Sequence, residues 1–274
     1  MMRKLLKHEF IATGRVMGII YAVVALIMGY VLISYFAGDR EEATIGQMLG
    51  LSVLMVVSMC MFVLTAVIMV TNFQKTLYGD QGYLSFTLPV KSVSLLTSKV
   101  LVSTVWFIAA FACMIGTMAL LLFVLKEDWL GEDYDTIASV LPLVLEGRSL
   151  ATIITYLLFR LISLFVSFGM FTIEVYFAIT IANTRRFQKH HILWTMVFSV
   201  VIIAVTQKIS TMIAEAAQFG LVINGDSISL MTNKTEFALD SMPLDLLSVV
   251  MAVLFGAAFF YGTFYLMSKK VNIR

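Results

Sequence analysis

The chain has 274 residues, of which 60% are hydrophobic and 13% are charged. Water-soluble proteins carry about 25% charged residues, because charged side chains normally cover their surface. The three prolines and 16 glycines argue against a disordered or loop-rich chain. The net charge of +2 gives no indication of a nucleic-acid partner, and none is expected. The composition excludes a soluble protein and predicts an all-α polytopic membrane protein whose surroundings are the lipid bilayer.

Six segments are long and apolar enough to cross a bilayer, which takes about 20 residues of helix. The apolar runs 16–38, 43–74, 100–125 and 246–268 contain no charged residue, whereas 149–184 contains Arg160 and Glu174, and 192–214 contains Lys208. The predicted spans are residues 16–38, 47–71, 100–125, 151–183, 192–214 and 246–268. Together they form one transmembrane domain that covers residues 1–274.

The run 149–184 is longer than a single span requires. As one helix it would measure about 54 Å at 1.5 Å per residue, against a hydrocarbon core of about 30 Å. It must therefore project beyond the bilayer, tilt strongly or break, and Gly169 near its middle is where a break would fall.

The basic residues are distributed unevenly between the two sides. With six spans, both termini lie on one side, and that side carries 13 of the 19 basic residues and two of the 17 acidic ones. The opposite side carries five basic and 14 acidic residues. Cytoplasmic loops are enriched in Lys and Arg, so both termini are predicted to be cytoplasmic.

Three segments outside the spans have structure-forming patterns. Residues 1–14 combine helical apolar spacing with basic residues and predict an interfacial helix, the alternative being the first turns of a long first helix. The external segment 126–148 contains an apolar stretch at 137–145 that predicts a short helix. Around Asn224-Gly225, β-prone runs predict a small extracellular hairpin, since Asn-Gly favours a tight turn.

Common catalytic and cofactor motifs are missing from the sequence. It contains no Gly-x-x-x-x-Gly-Lys-Ser/Thr phosphate loop, no Gly-x-Ser-x-Gly and no His-Glu-x-x-His. The three histidines, His8, His190 and His191, fall at predicted cytoplasmic boundaries, and the adjacent pair points to different faces of a helix. We therefore expect no enzyme, no metal site and no cofactor in this chain.

Arg160 and Glu174 are the costly residues of the fourth span, because a charge at the bilayer centre costs about 2.5–3.5 kcal/mol on insertion scales. They share one helical face about 21 Å apart along the axis, too far for a direct ion pair. One interpretation is that they line a translocation path. The other is that Arg160 snorkels outward and Glu174 is a neutral, hydrogen-bonded packing residue.

The cytoplasmic segment 72–99 is unusually apolar for a connector. It interleaves aromatic and aliphatic residues with polar ones, and Gly79, Gly82 and Pro89 divide it into short pieces, with Ser92 as the predicted N-cap of the next helix. Exposed apolar side chains favour a docking surface for a soluble partner, the alternative being a loop that folds onto the lipid interface. The predicted docking residues are Phe73, Lys75, Leu77, Tyr78, Gly82, Tyr83, Phe86 and Pro89.

This loop resembles a known family. Its stretch Tyr78-Gly79-Asp80-Gln81-Gly82-Tyr83-Leu84-Ser85-Phe86-Thr87-Leu88-Pro89-Val90, followed by Leu95-Leu96-x-Ser98-Lys99, is similar to the motif after the second span of ABC-2 type permeases of Gram-positive bacteria. The N-terminal Leu5-Leu6-Lys7-His8-Glu9-Phe10 is similar to their opening.

The resemblance implies a type V-like exporter fold in the bacterial cell membrane. In such a system a coupling helix in the first cytoplasmic loop fits a separate ATP-binding subunit, present in two copies, which holds ATP and Mg. A second permease, identical or related, completes the pore. The implied substrate is hydrophobic or amphipathic, such as an antimicrobial peptide.

Two other functions remain as alternatives. One is a membrane immunity or sensor protein that binds a peptide without ATP. The other is an intramembrane protease of the CAAX type, but Glu41-Glu42 lies outside the bilayer and lacks the arginine that such a site needs.

Overall fold

A computed structural model describes residues 2–37, 45–79, 92–124, 149–184, 187, 190–217, 220–224, 227–231 and 242–269. The helices are α1 (Met2–Ala37), α2 (Ile45–Leu77), α3 (Ser92–Val124), α4 (Leu150–Ala182), α5 (His191–Ala217) and α6 (Leu246–Lys269), and the strands are β1 (Gly220–Asn224), β2 (Ser227–Met231) and β3 (Met242–Leu244). Within these ranges, six helices are long and apolar enough to cross a membrane. The predicted all-α polytopic membrane fold is confirmed.

The helices extend beyond several predicted spans. Helix α2 continues to Leu77, and α3 begins at Ser92 rather than near residue 100. Hydropathy marks only the part of a helix that lies in lipid, whereas the internal hydrogen bonds of the backbone continue into the polar region. The flanks of segment 72–99, which is predicted to be cytoplasmic, are therefore helical.

Helix α1 is continuous from Met2 to Ala37. Residues 2–14 are thus the first turns of a long first helix. This is the alternative prediction for the segment, beside a separate interfacial helix. Their position relative to the membrane surface stays a prediction.

Helix α4 contains no break, so of the three alternatives for this long run a break at Gly169 is excluded. The helix starts at an N-cap, where the Ser149 hydroxyl oxygen accepts from the backbone N–H of Thr152 at 3.3 Å. It ends at Asn183, whose backbone N–H and side-chain amide both bond the Ile179 carbonyl. At 33 residues, α4 is about 50 Å long.

Glycine at position 79 permits the tight end of α2. The backbone N–H groups of Tyr78 and Gly79 both bond the Gln74 carbonyl, at 2.8 and 3.0 Å. A Cβ at Gly79 would lie 2.9 Å from the Lys75 carbonyl oxygen, which belongs to the backbone and cannot swing away. Any other residue would therefore force this helix end open.

The chain divides into two compact units, and α2 and α3 contribute residues to both. The first unit comprises residues 1–72 and 105–139. Its core is formed by buried apolar residues of α1, α2 and α3. These are Val24, Val31, Leu51, Leu54, Met61, Ala110, Leu120 and Val124.

Trp106 connects α1 to α3 inside the first unit. Its indole N–H donates to the Thr13 hydroxyl at 3.0 Å, and its ring stacks on Tyr21 with centroids 5.7 Å apart. The Tyr21 hydroxyl donates to the Trp106 carbonyl at 3.1 Å. These contacts orient α1 on α3.

The second unit comprises residues 73–104 and 140–274. Here α4 packs against both α5 and α6. A Cβ at Gly262 of α6 would lie 2.8 Å from Cε2 of Phe177 in α4, and Phe177 also packs on Phe259. The missing side chain at Gly262 therefore allows α4 and α6 to approach closely.

The second unit also contains a small antiparallel sheet of strand order β2-β1-β3. Strands β1 and β2 pair from Gly220–Met231 to Asn224–Ser227, which confirms the predicted hairpin. This register leaves Gly225 and Asp226 between the strands, so Asn224 belongs to β1 rather than to the turn. Strand β3, which the sequence did not predict, pairs with β1. The external location of the sheet stays a prediction, and the predicted short helix at 137–145 lies outside the described residues.

Candidate functional site

The predicted docking residues fall into two groups. Phe73 and Leu77 are fully buried, Tyr78 is half-buried and Lys75 is exposed. Gly82, Tyr83, Phe86 and Pro89 lie outside the residues that the structure describes. The structure therefore shows how the start of segment 72–99 is attached to the helices. The docking role of the other four residues stays a prediction.

Phe73, near the end of α2, is attached to α4 through Tyr176. The two rings stack with centroids 3.7 Å apart and an interplanar angle of 10°. Tyr176 is only 3% exposed, and its hydroxyl lies 2.5 Å from the Ser103 hydroxyl of α3. A single tyrosine thus contacts both helices that flank the predicted cytoplasmic loop.

Tyr78, the first residue after α2, makes a second attachment to α4. Its hydroxyl donates to Thr180 Oγ1 at 2.9 Å, while the Thr180 hydroxyl donates to the Tyr176 carbonyl at 2.8 Å. Burial raises the pKa of the Tyr78 phenol, an effect that outweighs the opposing effect of the Thr180 hydrogen bond. The phenol therefore stays protonated and keeps donating throughout the physiological pH range.

These five residues form the loop-root cluster: Phe73, Tyr78, Ser103, Tyr176 and Thr180. All five belong to the second unit. A buried hydroxyl without a partner is costly, by about 1–3 kcal/mol, and an aromatic stack keeps a defined geometry. The cluster therefore resists sliding of α2 along α4.

The second part of the resembling motif is buried as well. Leu95, Leu96, Ser98 and Lys99 lie on the first turns of α3 and are 7%, 1%, 1% and 3% exposed. The Ser98 hydroxyl donates to the Leu95 carbonyl at 2.8 Å. Both ends of the predicted cytoplasmic loop are thus packed into the second unit.

Sequence reasoning missed Ser103, Tyr176 and Thr180. A signal was present, because Thr172, Tyr176 and Thr180 recur every four residues within an apolar run and must share one helical face. All three are buried in the structure. A polar stripe on a membrane helix indicates contact with other helices rather than with lipid.

Glu174 is buried between α4 and α5. It is 2% exposed, and its Oε1 lies 2.6 Å from the Thr206 hydroxyl. The Thr206 hydroxyl also donates to the Ile202 carbonyl at 2.9 Å. This geometry fits the interpretation of Glu174 as a hydrogen-bonded packing residue.

Arg160 lies near the Leu150 end of α4 with its side chain 40% exposed. Its Nε donates to the Tyr156 hydroxyl at 2.8 Å, and its Nη1 donates to Asp245 Oδ2 at 3.3 Å. Asp245 directly precedes α6, and its carbonyl accepts from the Ser248 hydroxyl and the Val249 N–H. The structure thus gives Arg160 a partner on another element and does not bring it together with Glu174.

No group of three or more His, Cys, Asp or Glu side chains is arranged to hold a metal ion among the residues described. No family model, curated protein or solved structure matches the chain. The function of the protein is therefore inferred from its own sequence and geometry.

Proposed function

We propose that this protein is the membrane-spanning permease subunit of an ABC exporter. It moves a hydrophobic or amphipathic substrate, such as an antimicrobial peptide, outward across the bacterial cell membrane. The energy comes from ATP and Mg bound to a separate ATP-binding subunit, present in two copies. A second permease, identical or related, completes the pore, and both termini lie in the cytoplasm.

The observation that carries the proposal is the attachment of the cytoplasmic loop. A loop that receives force from a soluble ATPase needs a surface for docking and a stiff attachment to the membrane helices. The resembling motif supplies the apolar surface, and the loop-root cluster supplies the attachment through the Phe73–Tyr176 stack and the Tyr78–Thr180 hydrogen bond. Both helix ends that flank the loop are buried in one unit.

The character of the helices supports the substrate class. The chain has 18 methionines and 21 phenylalanines, and methionine adapts its shape to irregular apolar ligands. Glu174 and Arg160 both have hydrogen-bond partners within the chain. A transport path built from these helices therefore favours apolar over ionic cargo.

The test is co-purification from native membranes. Affinity-tagged full-length protein is expected to retain a P-loop ATPase in mild detergent, and Tyr83→Ala, Phe86→Ala or Pro89→Ala is expected to reduce its recovery at least tenfold. Tyr134→Ala, the same change in a predicted external loop, is the matched control and should retain the ATPase.

Full recovery of the ATPase with all three loop variants would contradict the docking surface. Absence of any P-loop protein from the wild-type preparation would contradict the exporter and favour the ATP-independent immunity or sensor protein.

A further inference from the structure

Helix α4 contacts other elements of the second unit at three levels along its length. It runs from Leu150 to Ala182 without interruption. An α-helix closes its backbone hydrogen bonds internally, so a displacement at one end is carried to the other. The three levels of contact are all made by specific polar or aromatic groups.

The inner level is the loop-root cluster. Tyr176 stacks on Phe73, and Thr180 accepts from Tyr78. The contacts join α4 to Phe73 near the end of α2 and to Tyr78, the first residue after it, directly before the predicted cytoplasmic loop. Movement of that loop is therefore applied to α4 close to Ala182.

The middle level joins α4 to α5 through Glu174 and Thr206, whose oxygens are 2.6 Å apart. Both residues are buried, at 2% and 4% exposure. A hydrogen bond between buried groups is lost only at high cost, so α5 follows α4 at this level.

The outer level joins α4 to the start of α6 through Arg160 and Asp245, 3.3 Å apart. The Tyr156 hydroxyl accepts from Arg160 Nε at 2.8 Å and so holds the guanidinium in position. Arg160 lies 16 residues before Tyr176, about 24 Å along the axis. Leu244 of β3 directly precedes Asp245, so this level also adjoins the sheet.

We infer that α4 is the lever that carries movement of the cytoplasmic loop to the outer end of α6. Tyr78 and Tyr176 are positioning residues of the inner joint, and Arg160 and Asp245 are positioning residues of the outer joint. The inference rests on the proposed function, since the ATPase supplies the movement. It assigns Arg160 to a mechanical contact rather than to the lining of a transport path.

The inner joint is tested with Tyr78→Phe, which keeps the ring and removes only the hydroxyl. Spin labels are placed at the exposed positions Leu157 of α4 and Ser248 of α6, with Cys60 and Cys113 replaced by serine. In the complex with the ATPase, trapping with Mg-ATP and vanadate is expected to shift the distance between these labels. Tyr78→Phe should reduce that shift by at least half in the fraction of the protein that is purified with the ATPase bound.

The matched control is Tyr21→Phe, which removes a comparable tyrosine hydrogen bond, from Tyr21 to the Trp106 carbonyl, inside the first unit. It should preserve the full distance shift. An equal loss in both variants would assign the hydroxyls a purely structural role and overturn the lever. A full shift in Tyr78→Phe would overturn it as well.

The outer joint is tested with Asp245→Asn, which keeps the side-chain shape and removes the charge. We expect the distance between labels at Leu157 and Ser248 to stop following the nucleotide state. A second label pair at Lys75 and Thr184, beside the inner joint, should still respond as in the wild type. Glu215→Gln, the corresponding change at an exposed acid of α5, is the control and should leave both pairs responsive.

The failure of the lever is distinguishable from the failure of the proposed function. If the wild-type chain retains no P-loop ATPase, the exporter and the lever are both overturned. If the complex forms and nucleotide moves the outer label pair equally in the wild type, Tyr78→Phe and Asp245→Asn, the lever alone is overturned.

Discussion

At the scale of single residues, Glu174 illustrates how an apolar helix accommodates an acid. Its oxygen lies 2.6 Å from the Thr206 hydroxyl, which is also within reach of the Ile202 carbonyl. The Thr206 hydroxyl donates to the Glu174 oxygen and is shared with the carbonyl of its own helix. The acid thus has a partner on a neighbouring helix, without which it would be costly in lipid.

Glu174→Gln is therefore expected to change the free energy of unfolding by less than about 1 kcal/mol, since the amide can still pair with Thr206. Glu174→Ala should cost about 2–4 kcal/mol through the cavity it leaves. Thermal denaturation in detergent measures both, with Lys208→Ala at an exposed site as the control. A Glu174→Gln variant as unstable as Glu174→Ala would show that the negative charge itself is required.

At the scale of elements, hydroxyl groups are accommodated within the apolar helices by bonding backwards along the helix. Thr65, Thr104 and Thr263 each donate to the carbonyl four residues earlier, at 2.8 Å. The hydroxyl hydrogen is thereby used within the helix, and the oxygen remains able to accept. Thr180 uses this capacity to accept from Tyr78. Its hydroxyl hydrogen is used within α4, and its oxygen links α4 to the residue that follows α2.

Two glycines of the second unit should respond in opposite ways to substitution by alanine. A Cβ at Gly169 would make ordinary contact with Thr104 Oγ1 at 3.7 Å, whereas a Cβ at Gly262 would lie 2.8 Å from the Phe177 ring. Gly169→Ala should stabilise the protein by about 0.5–1 kcal/mol through helix propensity. Gly262→Ala should destabilise it by about 1–3 kcal/mol through overpacking.

Melting temperatures of the two variants, measured in the same detergent, check this pair. Gly29→Ala, with no atom within 4 Å of the added Cβ, is the control for propensity alone. A Gly169→Ala variant that lost stability would indicate that α4 bends there after all.

At the scale of the whole molecule, the charge distribution predicts which side each loop faces. The cationic excess of the segments on the side of the termini predicts that they lie in the cytoplasm. A cysteine at Gly131 in a background without Cys60 and Cys113 should react with a membrane-impermeant thiol reagent in intact cells. A cysteine at Lys75, which is exposed in the structure, should react only after the membrane is opened.

The reverse labelling pattern would contradict the predicted topology and, with it, the proposed docking of segment 72–99 on a cytoplasmic ATPase. Labelling of neither cysteine in intact cells, followed by labelling of both after lysis, would also contradict an external Gly131.

The sequence by itself determined that this is a membrane protein with six spans and a hairpin between the last two. Lipid offers the backbone no hydrogen-bond partner, so long apolar runs must become helices wherever they occur. The Asn-Gly signal likewise depends only on local backbone preferences.

Only the tertiary structure decided which face of each helix meets another helix. Lipid and protein interiors are both apolar, so hydropathy does not separate a lipid-facing Leu from the buried Phe73 or Leu77. Partners such as Arg160 and Asp245, 85 residues apart, are set by packing rather than by local pattern. For the same reason the unbroken α4 and the loop-root cluster became visible only in three dimensions.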